Sequence, residues 1–128
     1  MLLVNGHGGN TEALRAATAR LASDGRVCRV WHATLPGGDA HAGRLETSIM
    51  LALAPQAVLM SAAAVRCRLP IEELMPGLRA GGVRAVSPNG VLGDPHGASA
   101  SRGRKLLAKL TSGLSETLQR LLNDIDGG

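Results

Sequence analysis

The sequence predicts an α/β fold in which helices cover a parallel sheet. Three observations carry that expectation. The chain opens on a short apolar run, MLLV, ended abruptly by Asn-Gly, the pattern of a buried strand meeting a turn. TEALRAATARLASDG then places Ala and Leu at spacings of three and four, as one face of a helix does. RVCRVWHATL alternates like a second strand, so strand, helix and strand follow within about 35 residues. A unit of that order closes as two parallel strands joined by a helical crossover.

The remaining elements follow in order. Asn10 or Thr11 is placed to cap the first helix and Gly25 to end it. PGGDAHAG reads as a loop, and RLETSIMLALAP as a helix stopped by Pro55. Residues 57–70 read as an irregular connection. IEELMPGLRAGG predicts a short helix interrupted at Pro76, and VRAVSPNGVLGDPHG a short strand followed by a Gly/Pro-rich loop. A long helix is expected from Ala98 to about Asn123, with leucines at 106, 107, 110, 114, 118, 121 and 122. Without repeats or a linker, the 128 residues are expected to form one domain or part of one.

Composition narrows the function classes. There is one Trp and no Phe or Tyr, so the core is built from Leu, Val, Ala and Met. The net charge of +4 comes from scattered arginines among 10 acidic residues, with no aromatic set for base stacking. This reads as a solvated surface and argues against a nucleic-acid partner. No apolar run reaches the ~18 residues of a membrane span, and the start lacks a signal-peptide pattern. A cytoplasmic protein without a membrane partner is expected, with Cys28 and Cys67 as buried thiols.

Three clusters carry chemistry. In NGHGGN, His7 lies between Asn5 and Asn10 where a strand hands over to a helix, the place α/β folds use for active sites. A neutral imidazole there suits a divalent metal, with a neighbouring amide setting its tautomer. The alternative is a loop histidine bonded to structure. In DAHAGRLETS, His41 and Glu46 are five apart and would lie on different faces of one helix. His41 is therefore placed in the loop and Glu46 in the first turn of a helix starting near Gly43 or Arg44. Such a pair suits a general base and a metal ligand, whereas a plain capped helix with an N-terminal acid is the structural alternative. In SPNGVLGDPHGAS, Asp94 is expected to stabilise a turn and Ser99 or Ser101 to cap the long helix. His32, within a strand, is read as non-catalytic.

Taken together, NGHGGN, then HAGxxETS about 30 residues on, then SPNGVLGDPxGAS, resemble the creatininase (creatinine amidohydrolase) family from Val4 to about Leu107. The likeness is nearest to the mycofactocin-system branch, through DAHAGRxETS and ELMPxLRxGGVRAVSPNGVLGDPxGAS. The resemblance implies a three-layer αβα sandwich with a mainly parallel sheet, acting as a homo-oligomer. It also implies a C–N hydrolase using divalent metal (zinc, iron or manganese), two ions per complete site. Its substrate would be an amide, or in the mycofactocin branch a small modified peptide cut near its C-terminus.

Carried onto this chain, the resemblance makes His7 a metal ligand and His41 the proton-transfer residue. Creatininase has a glutamate ligand where Gly9 stands here, so Glu46 is the expected substitute at the second metal. Asn5 and Asp39, with Asn10, would support or orient these groups. Family members also carry an N-terminal half with a Glu-x-His pair and a bridging aspartate. No Glu-x-His occurs in these 128 residues. The expectation is a C-terminal half with Met1 as an internal methionine or misplaced start, catalytically incomplete alone and with an apolar first strand open to association. Two other readings stay open: a hydrolase of a creatinine-like ring or formamide, and a non-catalytic module that pairs with a partner.

Overall fold

The computed structural model describes residues 1–126. Strand β1 (Leu2–Asn5) runs parallel to β2 (Arg29–His32), in the register Leu2–Arg29 to Asn5–His32. Helix α1 (Thr11–Ser23) joins them, giving the expected strand–helix–strand unit. Gly25 closes α1 with a φ of 70° and donates its N–H to the Ala22 carbonyl at 3.0 Å. The other helices are α2 (Arg44–Leu53), α3 (Ile71–Val86) and α4 (Ala100–Asp126). Between α2 and α3 the chain is irregular, as expected, apart from the single 3-10 turns Pro55–Ala57 and Met60–Ala62.

The chain divides into two compact units. One comprises Met1–Leu35 and the chain from Lys109 onward; the other is Pro36–Ala108. In the second unit, Leu45 of α2, Leu74 of α3 and Leu92 form the buried apolar core. Ser48 and Ser87 are buried beside it as polar groups with all their needs met. The Ser48 hydroxyl donates to the Arg44 carbonyl at 2.6 Å and accepts the Ser99 N–H at 3.1 Å, tying α2 to the start of α4. Gly103 completes that contact. A Cβ there would run into the Ser48 carbonyl and the Ala52 side chain, so only glycine lets the two backbones approach.

Several expectations are corrected. The first strand is not buried: Val4 is 58% exposed, because among the described residues β1 pairs with β2 alone and the sheet face stays open. Pro76 does not interrupt α3. The break falls instead at Gly82, where φ is 69°, a conformation glycine adopts without steric cost. The segment expected as a short strand, Val83–Val86, is the last turn of that kinked helix. The Val83 carbonyl accepts the N–H of Ser87, the residue that caps the helix, at 2.8 Å. Cys28 and Cys67 are free thiols but only half-buried. No described helix is long and apolar enough to cross a membrane.

Candidate active site

In the first unit, Asn5 organises the NGHGGN loop. It ends β1 with its side chain buried, and its carboxamide makes four hydrogen bonds. The amide nitrogen donates to the His7 carbonyl at 3.0 Å and lies 3.1 Å from His32 Nδ1. The oxygen accepts the His7 N–H at 3.3 Å and the Asn10 side chain at 3.1 Å. Because a carboxamide nitrogen only donates, His32 Nδ1 is the acceptor and its Nε2 carries the proton. His32 is thereby a structural partner, in keeping with its reading from sequence. Asn10 is spent on Asn5 rather than on capping α1, whose N-cap makes no side-chain bond. The His7 backbone is clamped on both sides while its imidazole stays exposed, lying over Gly9 so that a Cβ there would come within 2.6 Å of Nε2.

The second unit gathers Asp39, His41 and Glu46 at the start of α2. Asp39 accepts the Arg44 N–H on Oδ2 at 3.0 Å, satisfying one of the free N–H groups of the helix start. Gly43 and Gly93 leave room for that carboxylate; a Cβ on either would overlap it. Glu46 reaches back from the first turn, and its Oε2 accepts the Ala42 N–H at 2.6 Å and lies 3.2 Å from His41 Nδ1. A carboxylate only accepts, so Nδ1 carries the proton and Nε2 presents its lone pair. Ala42 is held at φ 53°, the left-handed region that costs a residue with a Cβ roughly 1–2 kcal/mol. The His41 backbone exchanges two hydrogen bonds with Leu92, at 3.2 and 2.9 Å. Buried Leu92 thus anchors the histidine loop to the core. The expected placement of His41 in a loop and Glu46 in the first helical turn holds.

Beside these residues lies a cavity of about 390 Å³ walled by Asp39, Arg44, Arg68, Asp94 and Arg102. A neighbouring one of about 330 Å³ shares Asp39 and Arg68 and adds Leu69, Ile71 and Leu92. Asp94 forms the turn expected of it. Its Oδ1 accepts the His96 N–H at 2.9 Å and meets the His96 ring at 2.8 Å, while Oδ2 pairs with Arg68. The His96 backbone N–H, then its ring nitrogen, hold the Asp94 carboxyl below its usual range. Burial opposes these two hydrogen bonds without cancelling them, and the charges of Arg68 and His96 add smaller contributions in the lowering direction. Ser99, not Ser101, caps α4 through the Arg102 N–H at 3.2 Å. The arginines escaped sequence reasoning because they are spread over some 60 residues and belong to no motif.

Asn5, His7 and Asn10 are thus brought together in one unit, and Asp39, His41 and Glu46 in the other. Among the described residues, no three His, Cys, Asp or Glu side chains converge as a metal site. A catalytic divalent ion ordinarily takes three protein ligands, so these residues do not by themselves fit one. His7 has a fitting imidazole, but Glu46 Oε2 is committed to Ala42 and His41.

Comparison with known proteins places this geometry. The family model for creatininase, described as creatinine amidohydrolase, matches residues 1–118. The chain belongs to the creatininase family, generally one of metal-dependent hydrolases. It is similar to the mycofactocin precursor peptide peptidases of Mycobacterium ulcerans strain Agy99, 44% identical over 127 residues, and Mycolicibacterium smegmatis, 42% identical. Each alignment covers 99% of this chain and 51% of the relative, so the chain spans about half the length of the curated relatives it matches. Two solved tryptophan-to-phenylalanine mutants of creatininase share its fold, with TM-scores of 0.68 and 0.67 at 23% identity. They match 93% of this chain and 55% of their own, so the fold is part of a creatininase-like αβα architecture.

Proposed function

We propose that the chain supplies the proton-transfer portion of an amide- or peptide-bond hydrolase acting on a small modified peptide of the mycofactocin-precursor kind. The observation that supports this most directly is the His41–Glu46 pair, with Nδ1 held at 3.2 Å from Oε2 and Nε2 free to take a proton. His41 accepts a proton from the water that attacks the scissile carbonyl and delivers it to the departing nitrogen as the C–N bond breaks. Glu46 holds the ring in the productive tautomer through its contact with Nδ1. Asp39 keeps the helix start in place beneath them.

His7 and the second oxygen of Glu46 are proposed as ligands for the divalent ions of the family (zinc, iron or manganese). Further ligands would come from outside the described residues of this chain, within one creatininase-like domain. The setting we propose is the cytoplasm and the state a homo-oligomer. The scattered charge of +4 favours neither nucleic acid nor a membrane surface as partner.

The test uses the native protein from its own cells, its intact mass measured first. Cleavage of the peptide is then followed by mass spectrometry. His41→Ala is expected to lower kcat by roughly 10²–10⁴-fold with peptide binding retained. Cleavage at the wild-type rate would overturn the assignment of His41. Peptide binding with no cleavage by the wild type would favour the binding-module reading instead.

A further inference from the structure

We propose that the arginine-walled cavity of the second unit binds a carboxylate of a peptide ligand, with Arg102 as its principal contact. This rests on the hydrolase reading only for the ligand being a peptide. The hydrogen bonds in the wall decide which charges remain for a guest. Arg68 is spent on Asp94, and Asp94 is saturated by Arg68 and His96. Asp39 gives one oxygen, Oδ2, to the neutral Arg44 N–H, so its charge still counts in the wall. Arg44 donates Nε to the His96 carbonyl at 2.7 Å, which orients its guanidinium and leaves both terminal nitrogens. The Arg102 guanidinium has no hydrogen bond or ion pair among the described residues.

Packing brings the two available guanidiniums into one wall. Arg44 lies one turn before Ser48 and Arg102 just before Gly103. The Ser48–Ser99 hydrogen bond and the close approach at Gly103 hold these turns together. Two planar forks at one cavity match the two oxygens of a carboxylate. Three cations against two carboxylates leave a single positive charge, which suits a monoanion better than a phosphate dianion. The adjoining cavity, reached past Asp39 and Arg68, offers Leu69, Ile71 and Leu92 to an apolar neighbour of that carboxylate.

The carboxylate has two sources in a peptide, an acidic side chain or the C-terminus, and one titration separates them. The Arg Nε–Hε resonances of the full chain are followed by NMR at fixed ionic strength. The probes are N-acetyl-aspartate N-methylamide, with only a side-chain carboxylate, and N-acetylglycine, with only a terminal one. N-acetylglycine N-methylamide serves as the neutral control and inorganic phosphate as the dianion. Arg102 is expected to shift saturably with one or both carboxylates, the tighter naming the source, and not with the amide.

Arg102→Gln is expected to weaken binding roughly tenfold, and Arg102→Lys to restore little of it, since an ammonium lacks the fork. Arg102 is exposed, so neither change threatens the fold. The proposal is overturned by no saturable shift with either carboxylate, by an equal response to the amide, by tighter binding of phosphate, or by unchanged binding in Arg102→Gln. Because the readout is binding, failure here leaves the hydrolysis reading standing, and absent hydrolysis leaves this site standing.

Discussion

Glu46 Oε2 serves two donors at once, the Ala42 N–H at 2.6 Å and His41 Nδ1 at 3.2 Å. One carboxylate oxygen therefore both holds a left-handed alanine and sets the proton position of the adjacent imidazole. Both side chains of the pair are about half exposed, at 50% and 52%. An ion pair so open to water contributes about 0–1 kcal/mol to stability, so its value lies in positioning.

From that follows a separation of effects for Glu46→Ala. His41 should lose its fixed Nδ1–H tautomer and revert to the mixture of a free imidazole, visible in its ring nitrogen shifts. The cost in stability should stay near 1–2 kcal/mol, set by the Ala42 N–H losing its acceptor and by the lost acid at the helix start. Peptide hydrolysis by the native protein should fall about 10–100-fold through kcat. An unchanged tautomer with a large loss of stability would make Glu46 a purely structural cap.

Asn5→Ala tests the other unit. Asn5 is 6% exposed and holds four partners, so its loss strands the His7 backbone and leaves His32 Nδ1 without a donor. Leaving such groups unpaired costs about 1–3 kcal/mol, to which the lost packing adds. Denaturant unfolding should report that loss, and the His7 ring should sample more than one orientation by NMR. A change under about 0.5 kcal/mol would mean water replaces the carboxamide.

What could be read from sequence divides along physical lines. The strand–helix–strand unit was legible because periods of two and 3.6 are local, and Gly25 ends α1 where a left-handed residue is needed. The placement of His41 and Glu46 was legible because a five-residue spacing cannot share a helical face. Pro76 misled because a helix tolerates a proline where its lost bond can be given up, whereas the bend went to Gly82, free to take a positive φ. The Arg102 wall was invisible for another reason: Arg44, Arg68, Asp94 and Arg102 meet only through tertiary packing, with no fixed spacing to announce it. Burial of β1 depends on what packs against it, which an apolar run does not specify.

Gly103→Ala should be costly despite alanine's higher helix propensity. The added methyl meets the Ser48 carbonyl, and backbone yields less than a flexible side chain. Overpacking of this kind costs roughly 1–3 kcal/mol, outweighing the ~1 kcal/mol that alanine ordinarily gains over glycine within a helix. Thermal unfolding should fall, with the Ser99 N–H exchanging faster as its bond to Ser48 lengthens. A more stable variant would show that α2 and α4 are free to move apart.

Acid should weaken the second unit through Asp94. Its carboxyl is held below the ordinary value by the His96 N–H and ring, with Arg68 assisting, so the folded state binds this proton less readily than the unfolded state. The stabilisation is then fully present above the unfolded value, near pH 4, and is lost as pH falls through the depressed folded value. Asp94→Asn keeps an oxygen for the His96 N–H but gives up the charge opposite Arg68. Urea unfolding from pH 7 down to pH 3 should show the wild type ahead of the variant at neutral pH. The gap should begin to narrow below about pH 4 and close as pH passes the depressed folded value, where protonated Asp94 resembles the amide. A gap that persists undiminished at pH 3 would mean that shape and hydrogen bonding at the turn, rather than the carboxylate charge, hold Arg68 and His96 in place.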